Sequence, residues 1–305
     1  MAFDRERFRH LYPWDGNHLD VGGGVRLHYL DVGAGEPVVM LHGNPTWSFY
    51  FRHLVAQLSA THRCIVPDHV GMGLSDKPGD DRYAYRLERR VDDLDRLLAH
   101  LGIEGDVTVI AHDWGGMIGL AWAARRPGRV KRWILANTAG FGLPEGKPLP
   151  KRIGVVRHLP FFPVPNRGLN LFVEGALRYC TTRGLSPEVK AAYRAPYDSW
   201  AHRIGVQRFV EDIPLAPRDP SYPIVADVRE RLPEIVDGPL LLLWGAKDFV
   251  FDDHFLAEWR RRLPAAEVHR YADAGHFVLE DAREDCARQI GAFLARHPLA
   301  ARSAS

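Results

Sequence analysis

The sequence predicts an α/β fold: a mostly parallel central sheet flanked by helices, with a helical segment inserted over one end. Three observations carry this. Charge-free, strand-length apolar runs alternate with amphipathic, helix-length runs through the first half of the chain. The run 107–111 stops abruptly at His112-Asp113-Trp114-Gly115-Gly116, and a second apolar run follows at once. From about Ala139 the rhythm breaks into a proline-rich stretch with no strand pattern until Pro239.

The elements follow in order. Residues 25–32 alternate and read as an edge hairpin strand, turned by Gly33-Ala34-Gly35-Glu36. Residues 37–41 form a buried strand that ends in His42-Gly43-Asn44-Pro45-Thr46. A helix is expected over 47–60 and a buried strand over 63–67, which runs into the Gly-rich loop 68–76. Leu87, Val91, Leu94, Leu98 and Leu101 share one helix face, read as core packing. The strand 107–111, a helix over 117–124 and a strand over 130–136 complete this half. Prolines then cluster at 144, 148, 150, 160, 163 and 165, and amphipathic pieces follow at 167–179, 187–195 and 199–210. Strands are expected at 239–244 and 267–271 and a last helix at 281–296, with 297–305 frayed. The reading is a core of 1–139 and 216–305, with a helical cap, 140–215, inserted after the sixth strand.

Bulk properties narrow the class. A chain of 305 residues, 46% hydrophobic and 26% charged, suits one α/β core with an insertion. Net charge is +2, too balanced to argue for nucleic acid or an anionic membrane. Cys64, Cys180 and Cys286 are odd in number, share no metal-ligand spacing and read as reduced thiols. Residues 1–16 lack the apolar core of a signal peptide, and no apolar run approaches the ~20 residues of a membrane helix. The expectation is a soluble cytoplasmic protein with a small hydrophobic substrate, no metal or other cofactor, no nucleic-acid partner and no membrane span.

A strand, a sharp turn between small residues and a helix make a nucleophile elbow. The usual pattern is G-x-S-x-G; here the small positions are Ala111 and Gly115, and Asp113 holds the nucleophile position. A carboxylate adding to a carbonyl gives an anhydride, a poor resting intermediate. Displacement at saturated carbon gives a stable alkyl ester, so Asp113 points to substitution at carbon. The competing reading of Asp113 is a helix cap. His276, on a loop after the final strand, suits a general base acting on water. Asp248, just beyond a buried strand, suits its orienting carboxylate, with Asp252, Asp253 and Asp273 as rivals. Asn137 is neither acid nor base and can only hydrogen-bond. Asn44 and Trp114 offer backbone N–H groups, a side-chain amide and an indole N–H, neutral donors suited to a soft or diffuse anion. Their plainer readings are a turn residue and a packing residue.

Together, His42-Gly43-Asn44-Pro45-Thr46, His112-Asp113-Trp114-Gly115-Gly116, Trp244-Gly245-Ala246-Lys247-Asp248 and Gly275-His276 resemble the haloalkane dehalogenase family of α/β-hydrolases over about residues 20–295. The resemblance implies an α/β-hydrolase fold, Asp113 as nucleophile, His276 as base, Asp248 as third member, and Asn44 with Trp114 as the anion-holding pair. One branch of that family carries a Glu after the strand that ends here near Ala136; this chain has Asn137 and Thr138. The stretches 195–204, 209–215 and 248–256 resemble an offshoot, the β-lactone decarboxylases of bacterial long-chain olefin biosynthesis. That implies cis-2,3-dialkyl β-lactones converted to cis-olefins and CO2, and association with the lactone-forming partner enzymes. Phe161, Phe162, Leu169, Leu171, Phe172 and Leu177 are candidates to line alkyl channels. The alternatives are haloalkane dehalogenation, epoxide hydrolysis aided by Tyr179, Tyr193 or Tyr197, and a non-catalytic receptor on the same scaffold.

Overall fold

The computed structural model describes residues 4–158 and 161–299. In chain order the elements are α1 (Arg5–Phe8), β1 (Asn17–Asp20), β2 (Arg26–Val32), β3 (Glu36–Leu41), a 3-10 turn (Ser48–Phe51) leading into α2 (Arg52–Leu58), β4 (His62–Pro67), α3 (Leu87–His100), β5 (Val107–Asp113), α4 (Trp114–Arg125) and β6 (Val130–Thr138). Five helices follow: α5 (Lys151–His158), α6 (Pro163–Leu169), α7 (Leu171–Tyr179), α8 (Pro187–Arg194) and α9 (Ile204–Glu211). The chain ends with α10 (Tyr222–Ile235), β7 (Leu240–Gly245), α11 (Asp253–Arg262), β8 (Glu267–Tyr271), α12 (Val278–Asp281) and α13 (Arg283–Arg296).

The strands form one sheet in the order β1-β2-β4-β3-β5-β6-β7-β8. From β4 to β8 every pairing is parallel, while β2 runs against β4 and β1 against β2. Strands buried on both faces need apolar residues at every position. β5 is buried from Val107 to His112, and all of β7 is buried. The chain steps from β3 outward to β4, then back across to β5, so the direction of winding reverses between β3 and β5. A crevice opens outside the carboxyl ends of the strands at such a reversal. Leu41 and Ala111 face each other in that register, and Asn44 and Asp113 follow them.

Two expectations need correction, and one element is new. Residues 26–32 are not at the edge: the four-residue β1, polar and largely exposed, pairs outside them. The helix expected over 47–60 begins as a 3-10 turn and becomes α-helical only at Arg52. α10 fills a stretch to which the sequence assigns no element; it buries Val225, Val228, Leu232 and Ile235 and packs on α4. The face of α3 is as expected, with Leu87, Val91, Leu94 and Leu98 buried. Part of the expected frayed tail, from residue 300 onward, lies outside the described residues.

Candidate active site

Asp113 closes β5 and stands at the N-cap position of α4 without a side-chain capping bond, at φ 52° and ψ −124°, a conformation a non-glycine residue rarely adopts. Such a residue costs about 1–3 kcal/mol and persists only where its surroundings over-determine it. Here the surroundings are two close approaches. A Cβ on Gly115 would overlap the carbonyl of Leu41, and one on Gly43 would overlap the Asp113 carboxylate itself. The Thr138 hydroxyl also donates to the Asp113 carbonyl oxygen.

The two carboxylate oxygens have different neighbours. Oδ1 accepts the Asn44 backbone N–H at 2.8 Å, and the Trp114 backbone N–H also donates to this carboxylate. Oδ2 faces Nε2 of His276 at 3.6 Å. Burial pushes the Asp113 carboxyl above its ordinary value, against the pull of the His276 charge and the two N–H groups.

On its other side His276 Nδ1 meets Oδ2 of Asp248 at 2.7 Å. Burial alone lowers the imidazole, but the Asp248 charge, its hydrogen bond and the Asp113 charge outweigh it, and the net direction is up. Asp248 is buried and pinned in turn: Oδ1 accepts from Val250 N at 2.7 Å, and Oδ2 accepts from Asn137 Nδ2 at 3.0 Å. The rivals to Asp248 are engaged elsewhere. Asp252 caps α11 through His254 N, Asp253 pairs with Arg270 at 2.7 Å, and Asp273 pairs with Lys247 at 2.9 Å.

Two supporting residues emerge that motif reading does not assign. Asn137, with φ 33°, also donates to the Gly245 and Phe251 carbonyls and accepts from Gly245 N at 2.8 Å. It ties the end of β6 to the loop that carries Asp248. His112 Nε2 lies 2.9 Å from the His276 carbonyl oxygen, so this nitrogen carries the proton and donates. Burial and the neighbouring His276 hold His112 well below its usual range, keeping it a neutral strut beneath the loop.

Asn44 and Trp114 line the same cavity as Asp113 and His276. One amide hydrogen of Asn44 is already given to the Val206 carbonyl of α9 at 3.1 Å, which leaves the second for a ligand. The cavity measures about 290 Å³ and its walls are apolar, with Met117, Phe141, Ile153, Phe172, Val210 and Phe249 among them. Of the residues expected to line alkyl channels, Phe162, Leu171 and Phe172 do so. Phe161 and Leu169 point to solvent, 79% and 69% exposed, and Leu177 is buried away from the cavity. Tyr193 donates to Glu280, Tyr197 donates to the Pro45 carbonyl at 2.9 Å, and Tyr179 is the tyrosine on the cavity wall among the described residues.

The alpha/beta hydrolase fold family model matches residues 36–161 and 176–282. The chain belongs to this alpha/beta hydrolase family. The hydrolase is 48% identical over 285 residues to a cis-3-alkyl-4-alkyloxetan-2-one decarboxylase of Shewanella oneidensis, covering 93% of this chain and 89% of that one. It is 49% identical over 295 residues to the protein of the same name from Xanthomonas campestris pv. campestris, covering 94% and 98%. A haloalkane dehalogenase of Mycolicibacterium paratuberculosis is 34% identical over 297 residues, covering 93% and 94%. Among solved structures, the haloalkane dehalogenase DatA from Agrobacterium tumefaciens superposes with a TM-score of 0.82 at 25% identity, covering 92% of this hydrolase and 96% of that chain.

Proposed function

We propose that this hydrolase removes CO2 from cis-3,4-dialkyl oxetan-2-ones, the cis-2,3-dialkyl β-lactones, and leaves cis-alkenes, with Asp113 as nucleophile. The observation that carries the reading is the asymmetry of the Asp113 carboxylate: Oδ1 is held by backbone N–H while Oδ2 stands open to an apolar cavity. The names of the relatives at 48% and 49% identity point the same way.

Oδ2 attacks ring carbon 4 opposite the ring oxygen. The new C–O bond forms as the ring C–O bond breaks, and the negative charge passes to a carboxylate on carbon 3. The second amide hydrogen of Asn44 and the indole N–H of Trp114 are the donors that receive it. In this geometry the Asp113 ester oxygen is anti to the carboxylate. The bond between carbon 3 and CO2 then breaks, its electron pair forms the double bond, and the bond from carbon 4 to Oδ2 breaks to return Asp113 as an anion. Attack with inversion followed by anti departure keeps both alkyl groups on one side, so a cis-lactone gives a cis-alkene. No water and no net proton enter. A protonated His276 beside Oδ2 stabilises Asp113 as it leaves, which its upward shift favours.

The runner-up is haloalkane dehalogenation, in which Asp113 displaces halide and His276 activates water against the ester. Epoxide opening needs an acid on the leaving oxygen; Tyr193 and Tyr197 are committed to other partners, which leaves Tyr179 on the cavity wall as its candidate. A non-catalytic receptor has no use for a carboxylate held in a strained turn against an imidazole. Incubation with a synthetic cis-β-lactone and, separately, a 1-haloalkane tests the assignment, with alkene read by gas chromatography and halide by ion chromatography. Alkene from the lactone is expected; halide release with no alkene ends the proposal.

We further take residues 140–215 as a cap on a core of 1–139 and 216–305, in keeping with the walls that α7, α9 and the loops beside them supply to the cavity. The packing of α10 on α4 supports assigning 216–305 to the core. Among the described residues no helix is long and apolar enough to cross a membrane. A cytoplasmic setting is supported by three buried cysteines with no disulfide among them. Association with lactone-forming enzymes rests on the resemblance alone.

A further inference from the structure

Seven of the eight large apolar side chains exposed among the described residues fall within residues 143–179; Trp200 is the eighth. Scattered apolar exposure is ordinary, but a contiguous cluster marks an interaction surface. Phe161, Leu169 and Val164 are the most exposed, at 79%, 69% and 59%, and all three lie on or just before α6, which packs on α7. Leu143, Leu171 and Tyr179 are exposed and also line the cavity, so they form its mouth. The apolar patch adjoins the entrance along the chain, Phe161 beside the lining residue Phe162 and Leu169 two residues from Leu171.

Charge is gathered on the same stretch. By sequence, residues 143–179 hold six basic residues (Lys147, Lys151, Arg152, Arg157, Arg167, Arg178) against Glu145 and Glu174, a net +4; Lys147 pairs with Asp252, Arg157 with Asp219 and Glu174 with Arg194. The whole chain is +2, so everything outside this stretch sums to −2. Lys151 and Arg178 are exposed and have no carboxylate partner among the described residues. Lys151 and Arg178 adjoin the lining residues Pro150 and Tyr179, so positive charge stands beside the apolar rim of the cavity mouth.

We infer that this rim seats on an anionic lipid bilayer, with Phe161, Val164 and Leu169 in the headgroup–acyl boundary and the cavity mouth opening towards the acyl layer. Apolar side chains beside Lys and Arg make an interfacial surface of this kind. It suits an apolar ligand: each methylene favours a hydrocarbon phase over water by about fourfold, so a long-tailed substrate resides in lipid and is taken from it directly. Exposure and charge carry this inference without the lactone assignment, and lipid binding is measured apart from turnover.

Co-sedimentation of the full chain with phosphatidylglycerol vesicles and with phosphatidylcholine vesicles is the test. Binding to phosphatidylglycerol that added salt weakens, with little binding to phosphatidylcholine, is expected. Phe161→Asp with Leu169→Asp should weaken it at least tenfold. Lys151→Gln and Arg178→Gln should each weaken it roughly fivefold. All four substitutions should leave turnover of a short-chain, water-soluble β-lactone unchanged. Three results overturn the inference: no co-sedimentation, equal binding to both lipids, or full binding by the Phe161→Asp/Leu169→Asp variant. So does a dimer in sedimentation velocity that Phe161→Asp dissolves, since a second copy then covers the face.

Discussion

His276 Nε2 stands 3.6 Å from Oδ2 of Asp113 while its Nδ1 stands 2.7 Å from Asp248. One imidazole is thus bracketed by two carboxylates, and its proton is held more tightly than in water. That single arrangement suits two chemistries with opposite demands. Hydrolysis of an alkyl ester needs the imidazole neutral; return of Asp113 as a leaving group is helped by the imidazolium.

The pH profile separates them. Alkene formation from a cis-β-lactone should decline as pH rises through the raised His276 value, whereas any halide-releasing hydrolysis should increase over that range. Its acid limb should lie above the ordinary aspartate range, because Asp113 titrates high and must be ionised. Steady-state rates by gas chromatography across pH decide this; an alkene rate that climbs with the His276 titration contradicts the assigned role. The raised value also stabilises the fold. Its contribution is complete below the unfolded value of about 6.5 and fades as pH climbs through the folded one. That component of the melting-temperature profile should vanish in His276→Ala.

His276→Ala also tests the fate of the covalent intermediate. If the Asp113 ester fragments to alkene, its breakdown needs no base but is slower without the imidazolium, so any lactone adduct seen by intact-protein mass spectrometry should decay to alkene, with slowed turnover. With a haloalkane the same variant should accumulate the alkyl adduct on Asp113. A lactone-derived adduct that decays to a β-hydroxy acid rather than to alkene means water, not fragmentation, resolves the ester.

Asp113→Asn should abolish both activities and make the protein more stable at neutral pH. The folded carboxyl binds its proton more tightly than the unfolded one, so ionised Asp113 is a burden on the fold above that value. Removing the charge should raise the melting temperature, at about 1.5 °C for each kcal/mol relieved in a chain of 305 residues. Calorimetry at pH 7 that shows a fall instead would mean the carboxylate contributes to stability.

Asn137→Ala should cost about 2–4 kcal/mol and also slow catalysis. The change strips partners from the Gly245 N–H and carbonyl, the Phe251 carbonyl and Asp248, all in or near the core. Chemical denaturation gives the first number. A kcat that stays at the wild-type level in the variant would show that Asp248 holds its place without this amide.

Ala176→Leu should shorten the alkyl chains accepted. Ala176 is buried and lines the cavity from α7, so added volume displaces substrate methylenes at about tenfold or more in kcat/KM each. A series of lactones of graded chain length reads the shift; an unchanged optimum places the tails elsewhere.

The central sheet was legible because parallel strands buried on both faces write themselves as unbroken apolar runs, as in Leu240-Leu241-Leu242-Leu243. β1 was not, because its four residues are polar and mostly exposed and are recruited only by pairing with β2. α10 escaped notice because Pro223 and Pro233 break its pattern, although Val225, Val228, Leu232 and Ile235 keep one face apolar. At the site, Asp113, His276 and Asp248 each sit in short local patterns, and the structure brings them together. The alternative uses of Phe161 and Phe162 could not be separated: adjacent aromatics leave a helix terminus in different directions, one to solvent and one to the cavity. Asn137 and His112 act through backbone groups far along the chain, at positions 245, 251 and 276, which no local motif encodes.

The crowding at Gly43 and Gly115 has a practical bearing on redesign. Neither position can accept even a methyl group without displacing the Asp113 carboxylate or the Leu41 carbonyl. A mutant library seeking new substrates should therefore hold these two codons fixed and spend its diversity on the α7 wall, which lines the cavity away from the turn that carries the reacting oxygen.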